Sequence, residues 1–97
     1  MEQEHGQKMI DVRVVYPSAH HPAEKNFPPE TTIGLIKQFA LEFFGLKEEP
    51  IEGNQVVFFL FHGRNKIENL EQPLSSFVEG NSHHSEFRLA KEIVAGV

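Results

Sequence analysis

The 97-residue chain contains no cysteine, which excludes a disulfide framework, a thiolate metal site and a cysteine nucleophile. A small domain without disulfides suits the reducing cytosol. The chain also lacks a basic stripe. Its nine lysines and arginines are scattered among fourteen acidic residues, for a formal charge of −5. Nucleic-acid binders concentrate cations against phosphates, so DNA and RNA are disfavoured as partners. No apolar run approaches the roughly 20 residues of a membrane-spanning helix; the longest, Val56 to Phe61, has strand length. The opening Met1-Glu2-Gln3-Glu4-His5-Gly6-Gln7-Lys8 is polar and acidic, the reverse of a secretory signal. No glycine-rich phosphate loop is present. A cytoplasmic, non-membrane protein without cofactor is expected.

What is there reads as one small domain. Residues 1–8 form an N-terminal leader without apolar pattern, residues 9–94 the domain and residues 95–97 a C-terminal tail. Ile10, Val12 and Val14 alternate with Asp11 and Arg13, the period of a strand with one buried face. Ala23 to Phe27 completes a hairpin, and Pro28-Pro29 ends it. A helix follows, capped by Thr31 or Thr32 and closed by Gly45. Its apolar stripe comprises Ile33, Ile36, Ala40 and Phe43, broadened by Leu35, Phe39 and Phe44. Lys47 to Asn54 reads as a polar connection, Gln55 to His62 as the strongest strand and Lys66 to Glu68 as a short one after a turn at Gly63. Pro73 to Val78 reads as one helical turn anchored by Leu74 and Phe77, and Glu86 to Val94 as the last strand. One amphipathic helix must bury its stripe against a sheet, which makes the fold α+β: a mixed four- to five-stranded sheet packed on one helix, with first and last strands central.

Three segments resemble ubiquitin in order and spacing. Thr32-Ile33-Gly34-Leu35-Ile36-Lys37 resembles the opening of its helix, Phe59-Leu60-Phe61-His62-Gly63-Arg64 its central strand and glycine turn, and Leu74-Ser75-Ser76-Phe77 the turn that follows. The resemblance covers residues 9–96 and implies a ubiquitin-like β-grasp fold, of the kind also found in divergent bacterial ubiquitin-like proteins. The departures are a longer, proline-rich first hairpin, Ala95 in place of the first terminal glycine, no basic residues in Glu92-Ile93-Val94, and Val97 after Gly96.

A half-buried strand should alternate, yet Val56 to Phe61 is apolar at every position. If Val57, Phe59 and Phe61 fill the core, then Val56, Phe58 and Leu60 face outward as a protein-binding patch. The resemblance places Leu60, Arg88 and Ala90 at the positions of ubiquitin's main recognition surface. The expected patch is therefore Phe58, Leu60, His62, Arg64, Arg88 and Ala90. Alternatively the leader or the first loop covers that face, or two copies pair through it as a weak homodimer. The tail carries a second expectation: with Val97 removed, Ala95-Gly96 would offer a small-residue terminus for a ubiquitin-activating-like enzyme, as in a protein modifier or sulfur carrier. The pairs His20-His21 and His83-His84 are read as loop histidines rather than metal ligands. Ser75, Ser76, Ser82 and Ser85 have no nucleophile elbow or oxyanion hole beside them, so no catalytic residue and no enzyme is expected.

Overall fold

The structure, a computed structural model, describes residues 9–80 and 82–94. The leader, Ala95, Gly96 and Val97 lie outside the described residues. The elements are β1 (Ile10–Val15), β2 (Ala23–Phe27), α1 (Ile33–Phe44), β3 (Pro50–Ile51), β4 (Asn54–His62), β5 (Asn65–Lys66), a single 3-10 turn (Leu74–Phe77) and β6 (His84–Val94). The sheet runs β2-β1-β6-β4-β3, with β5 also pairing β4. The central pair β1–β6 is parallel, from Asp11 opposite His84 to Val15 opposite Arg88. Parallel neighbours require a long crossover, and it contains α1. The mixed sheet on one helix is the α+β arrangement expected, with two-residue β3 and β5 added to the four longer strands.

In β1 the alternation reads directly into structure, since Ile10, Val12 and Val14 are buried and Asp11 and Arg13 exposed. The N-cap of α1 is Thr32, whose hydroxyl accepts from the Leu35 N–H at 3.4 Å. Two further helix-end donors go to the loop before the 3-10 turn: Ile33 N–H to the Gln72 carbonyl at 2.9 Å and Gly34 N–H to the Leu70 carbonyl at 2.8 Å. Gly45 closes the helix in the left-handed region at φ 69°.

The helix stripe is narrower than its sequence. Ile33, Ile36 and Ala40 are fully buried, whereas Leu35 is 55% and Phe43 52% exposed. Seven apolar positions cover more of the helix circumference than one sheet can face, so the outermost two remain in water. Phe43 leans on the rings of Phe39 and Phe44 instead.

β3 lies inside the stretch read as a polar connection. Pro50 and Ile51 pair with Gln55 and Asn54 around Glu52-Gly53, whose φ values are 51° and 83°. Two successive positive φ values define a type I′ hairpin turn. Glutamate in its first position, where asparagine or aspartate is usual, hides it in the sequence.

Just before β3, Glu48 reaches back to β4. Its Oε2 accepts the Phe58 N–H at 2.7 Å and lies 3.0 Å from Lys37 Nζ on α1. Burial pushes this carboxyl up, but the Phe58 hydrogen bond and the Lys37 ammonium outweigh it and hold it below its ordinary value of 4.5. A depressed folded-state value means stabilisation that is complete above the unfolded value and is lost as pH falls through the folded one. The stability advantage of the wild type over Glu48→Gln is therefore full above pH 4.5 and shrinks below it. Urea titrations of both proteins across that range check this; a pH-independent gap would contradict it.

Candidate protein-binding face

The phase of β4 decides which residues face the core. Directly opposed residues of an antiparallel pair share one face, and β4 pairs with β6 so that Leu60 opposes Leu89, Phe58 opposes Lys91 and Val56 opposes Ile93. On β6, Phe87 and Leu89 are buried while Arg88 is exposed. The helix side of β4 is thus Val56, Phe58 and Leu60, at 4%, 2% and 0% exposure. Phe58 and Leu60, expected on the outer patch, are core residues. An all-apolar strand carries no phase of its own, and the β6 ladder supplies it.

His62 also falls on the inner side. Its ring packs 5.3 Å from Phe77 and 5.5 Å from Phe87, beneath the 3-10 turn, rather than at the rim of an outer patch. Arg64 is exposed in the β4–β5 turn. Arg88 and Ala90 stand on the outer face, opposite Phe61 and Phe59.

The other alternation of β4 therefore builds the outer face. Val57, Phe59 and Phe61 are half-buried there, beside half-buried Ala90 and Val15. The two rings carry cations. Lys66 Nζ lies 3.7 Å from the centre of the Phe59 ring, and the Arg88 guanidinium 4.5 Å from that of Phe61. Lys66 also meets Glu92 at 3.3 Å, so its position over the ring is fixed from two sides. Further across the sheet the face turns polar, with Arg13 and Glu24 3.8 Å apart. The apolar part is thus a compact strip on β4 with a charged border. Its members Val57, Phe59, Phe61, Val15 and Lys66 were absent from the sequence expectation. The signal that finds them is the clean alternation of β6, applied to β4 through their pairing.

Two of the candidate serines have structural partners. Ser85 is buried and donates its hydroxyl to the Phe77 carbonyl at 2.9 Å, tying β6 to the 3-10 turn. The Ser82 hydroxyl exchanges hydrogen bonds with the backbone of His84. His20, His21, His83 and His84 are all exposed. Among the described residues no group of three or more histidines and carboxylates is placed to hold a metal ion. No helix among them is long and apolar enough to cross a membrane.

Strand order, crossover helix and 3-10 turn together define the ubiquitin-like β-grasp fold. The chain is similar to the ubiquitin of Caldiarchaeum subterraneum, with a TM-score of 0.64 and 18% identity over 91% of this chain and 99% of that one. It is also similar to an Arabidopsis thaliana protein, with a TM-score of 0.59 and 16% identity over 91% and 92% of the two chains. No protein-family model matches the sequence, and no curated protein matches it.

Proposed function

We propose that this protein is a ubiquitin-like, non-enzymatic interaction module of the cytoplasm that docks other proteins on the outer face of its sheet. The observation that carries this reading is the pair of phenylalanine rings, Phe59 and Phe61, on the face away from the helix and held under Lys66 and Arg88. Aromatic anchors bordered by arginine and lysine suit binding: the rings are desolvated at the centre, and the cations supply a polar rim. Val57 and Ala90 extend the apolar centre, and Arg88 and Arg64 belong to the rim.

Phe59→Asp and Arg88→Glu should each reduce recovery of a bound partner at least tenfold in quantitative affinity purification, with the domain still folded. Leu35→Asp, on the exposed side of the helix, should leave recovery intact. Equal losses from all three would contradict the reading. A partner that proves to be a second copy would mark the face as a homodimer interface.

A second reading, a protein modifier activated at Gly96, is favoured by the course of β6. Pairing with β1 stops at Arg88, yet β6 runs on beside β4 to Val94, with Ile93 62% and Val94 49% exposed. The last residues of β6 thus keep one neighbouring strand only, immediately before Ala95-Gly96 in the sequence. Protein ending at Gly96 should form an adenylate and then an enzyme thioester when incubated with its activating enzyme and ATP, seen as intact-mass shifts. Native protein that always retains Val97 and forms neither would exclude this role.

A further inference from the structure

β4 carries the longest uninterrupted apolar run of the chain. Val56-Val57-Phe58-Phe59-Leu60-Phe61 is six consecutive apolar residues with no charge, proline or glycine. That is the composition of segments that pair with copies of themselves. One edge of β4 is paired with β6 from Gln55 to Phe61. The other edge is covered in pieces. Near one end β3 pairs with it, and the Val56 N–H reaches the Glu49 carbonyl at 3.4 Å. Near the other, β5 pairs with it, and the Leu60 carbonyl accepts from the Ile67 N–H at 2.9 Å. Between these covers the Phe58 N–H donates to a side chain, Glu48 Oε2, at 2.7 Å. Lys37 Nζ holds the same oxygen at 3.0 Å.

A carboxylate in this position satisfies the edge without continuing it. It has no hydrogen to donate, and an incoming strand would have to expel it and break its ion pair with Lys37. Natural sheets place charges at strand edges to block unwanted pairing. We propose that Glu48 guards the β4 edge, keeping it from pairing with β4 of a second copy of this chain. The second copy is the matching occupant because an antiparallel pair centred on Phe58 sets Val56 against Leu60 and Val57 against Phe59. From Val56 to Leu60 every opposed pair is then apolar and uncharged, and the incoming strand displaces the Glu49 and Ile67 hydrogen bonds at the two ends.

The test compares wild type, Glu48→Ala and Leu74→Ala by light scattering over a concentration series, with folding confirmed by NMR. Leu74 is buried beneath the helix cap, so its truncation weakens the fold without uncovering the β4 edge. Wild type and Leu74→Ala should remain monomeric, while the weight-average mass of Glu48→Ala should at least double as concentration rises. Adding Val57→Lys, which puts a charge on the same strand, should return Glu48→Ala to monomer. The proposal is overturned if folded Glu48→Ala stays monomeric, if Leu74→Ala associates to the same extent, or if wild type itself associates. If Glu48→Ala does not fold, Glu48→Ser, too short to reach Phe58, is read by the same outcomes.

Discussion

Leu60→Asp will remove a large part of the domain's stability. Leu60 is fully buried at the centre of β4, opposite Leu89, which is buried as deeply. A carboxylate there would have to enter the core charged and unpaired, or be protonated at a cost. Either route removes more than about 4 kcal/mol, from a total that for a domain of this size is on the order of 5–15 kcal/mol. Phe59→Asp, one residue away, puts the same carboxylate on the outer face, where water and Lys66 can reach it. It should cost about 1 kcal/mol, the centre of the distribution for point substitutions. Urea denaturation of the two variants checks the pair. Comparable stabilities, or a less stable Phe59→Asp, would mean that the phase of β4 is reversed.

Phe87→Ala should have the next largest effect. Phe87 is 1% exposed and among the largest fully buried side chains. Its ring meets Phe77 at 5.8 Å and His62 at 5.5 Å, so it joins β6 to the 3-10 turn and to the end of β4. Removing it leaves a cavity that the Phe77–Ser85 hydrogen bond prevents from collapsing freely. The expected loss is about 3–5 kcal/mol, equivalent to a fall in Tm of more than ~12 °C at the usual slope for a domain this size. Phe61→Ala removes the same ring from the outer face and should cost about 1 kcal/mol. Calorimetry of both separates a core phenylalanine from a surface one; a smaller loss for Phe87→Ala than for Phe61→Ala would contradict the packing described.

Most of the fold could be read from the residues because its elements carry their own punctuation. β1 shows its alternation, α1 its threonine cap and terminal Gly45, and β6 an unbroken inside–outside pattern from Ser85 to Leu89. What failed was information that a strand does not contain by itself. β4 is apolar at both parities, so its phase comes from its neighbour, and a shift of one residue exchanges its two faces. That single step moved Phe58, Leu60 and His62 from the expected patch to the core side while leaving Arg88 and Ala90 outside. β3 was hidden for a related reason: its turn uses Glu52-Gly53, and its two residues are too few to show a period. Leu35 and Phe43 show the converse limit, since apolar spacing on a helix marks a candidate core face but not how wide a sheet will cover it.

The two faces of β4 divide its residues between the core and an exposed apolar strip. Its even-numbered residues close the core against β6 and the helix, and its odd-numbered residues form the strip beneath Lys66 and Arg88. A polar outer set would have made the strand easier to read and would have removed the exposed apolar strip.

The most direct measurement is photo-crosslinking in cells from a benzophenone amino acid placed at Phe59, compared with the same group at Gln38 on the exposed side of the helix. A partner-binding outer face predicts a discrete protein adduct from position 59 that is lost with Arg88→Glu and is absent from position 38. No adduct from position 59, or the same adduct from both positions, would contradict it.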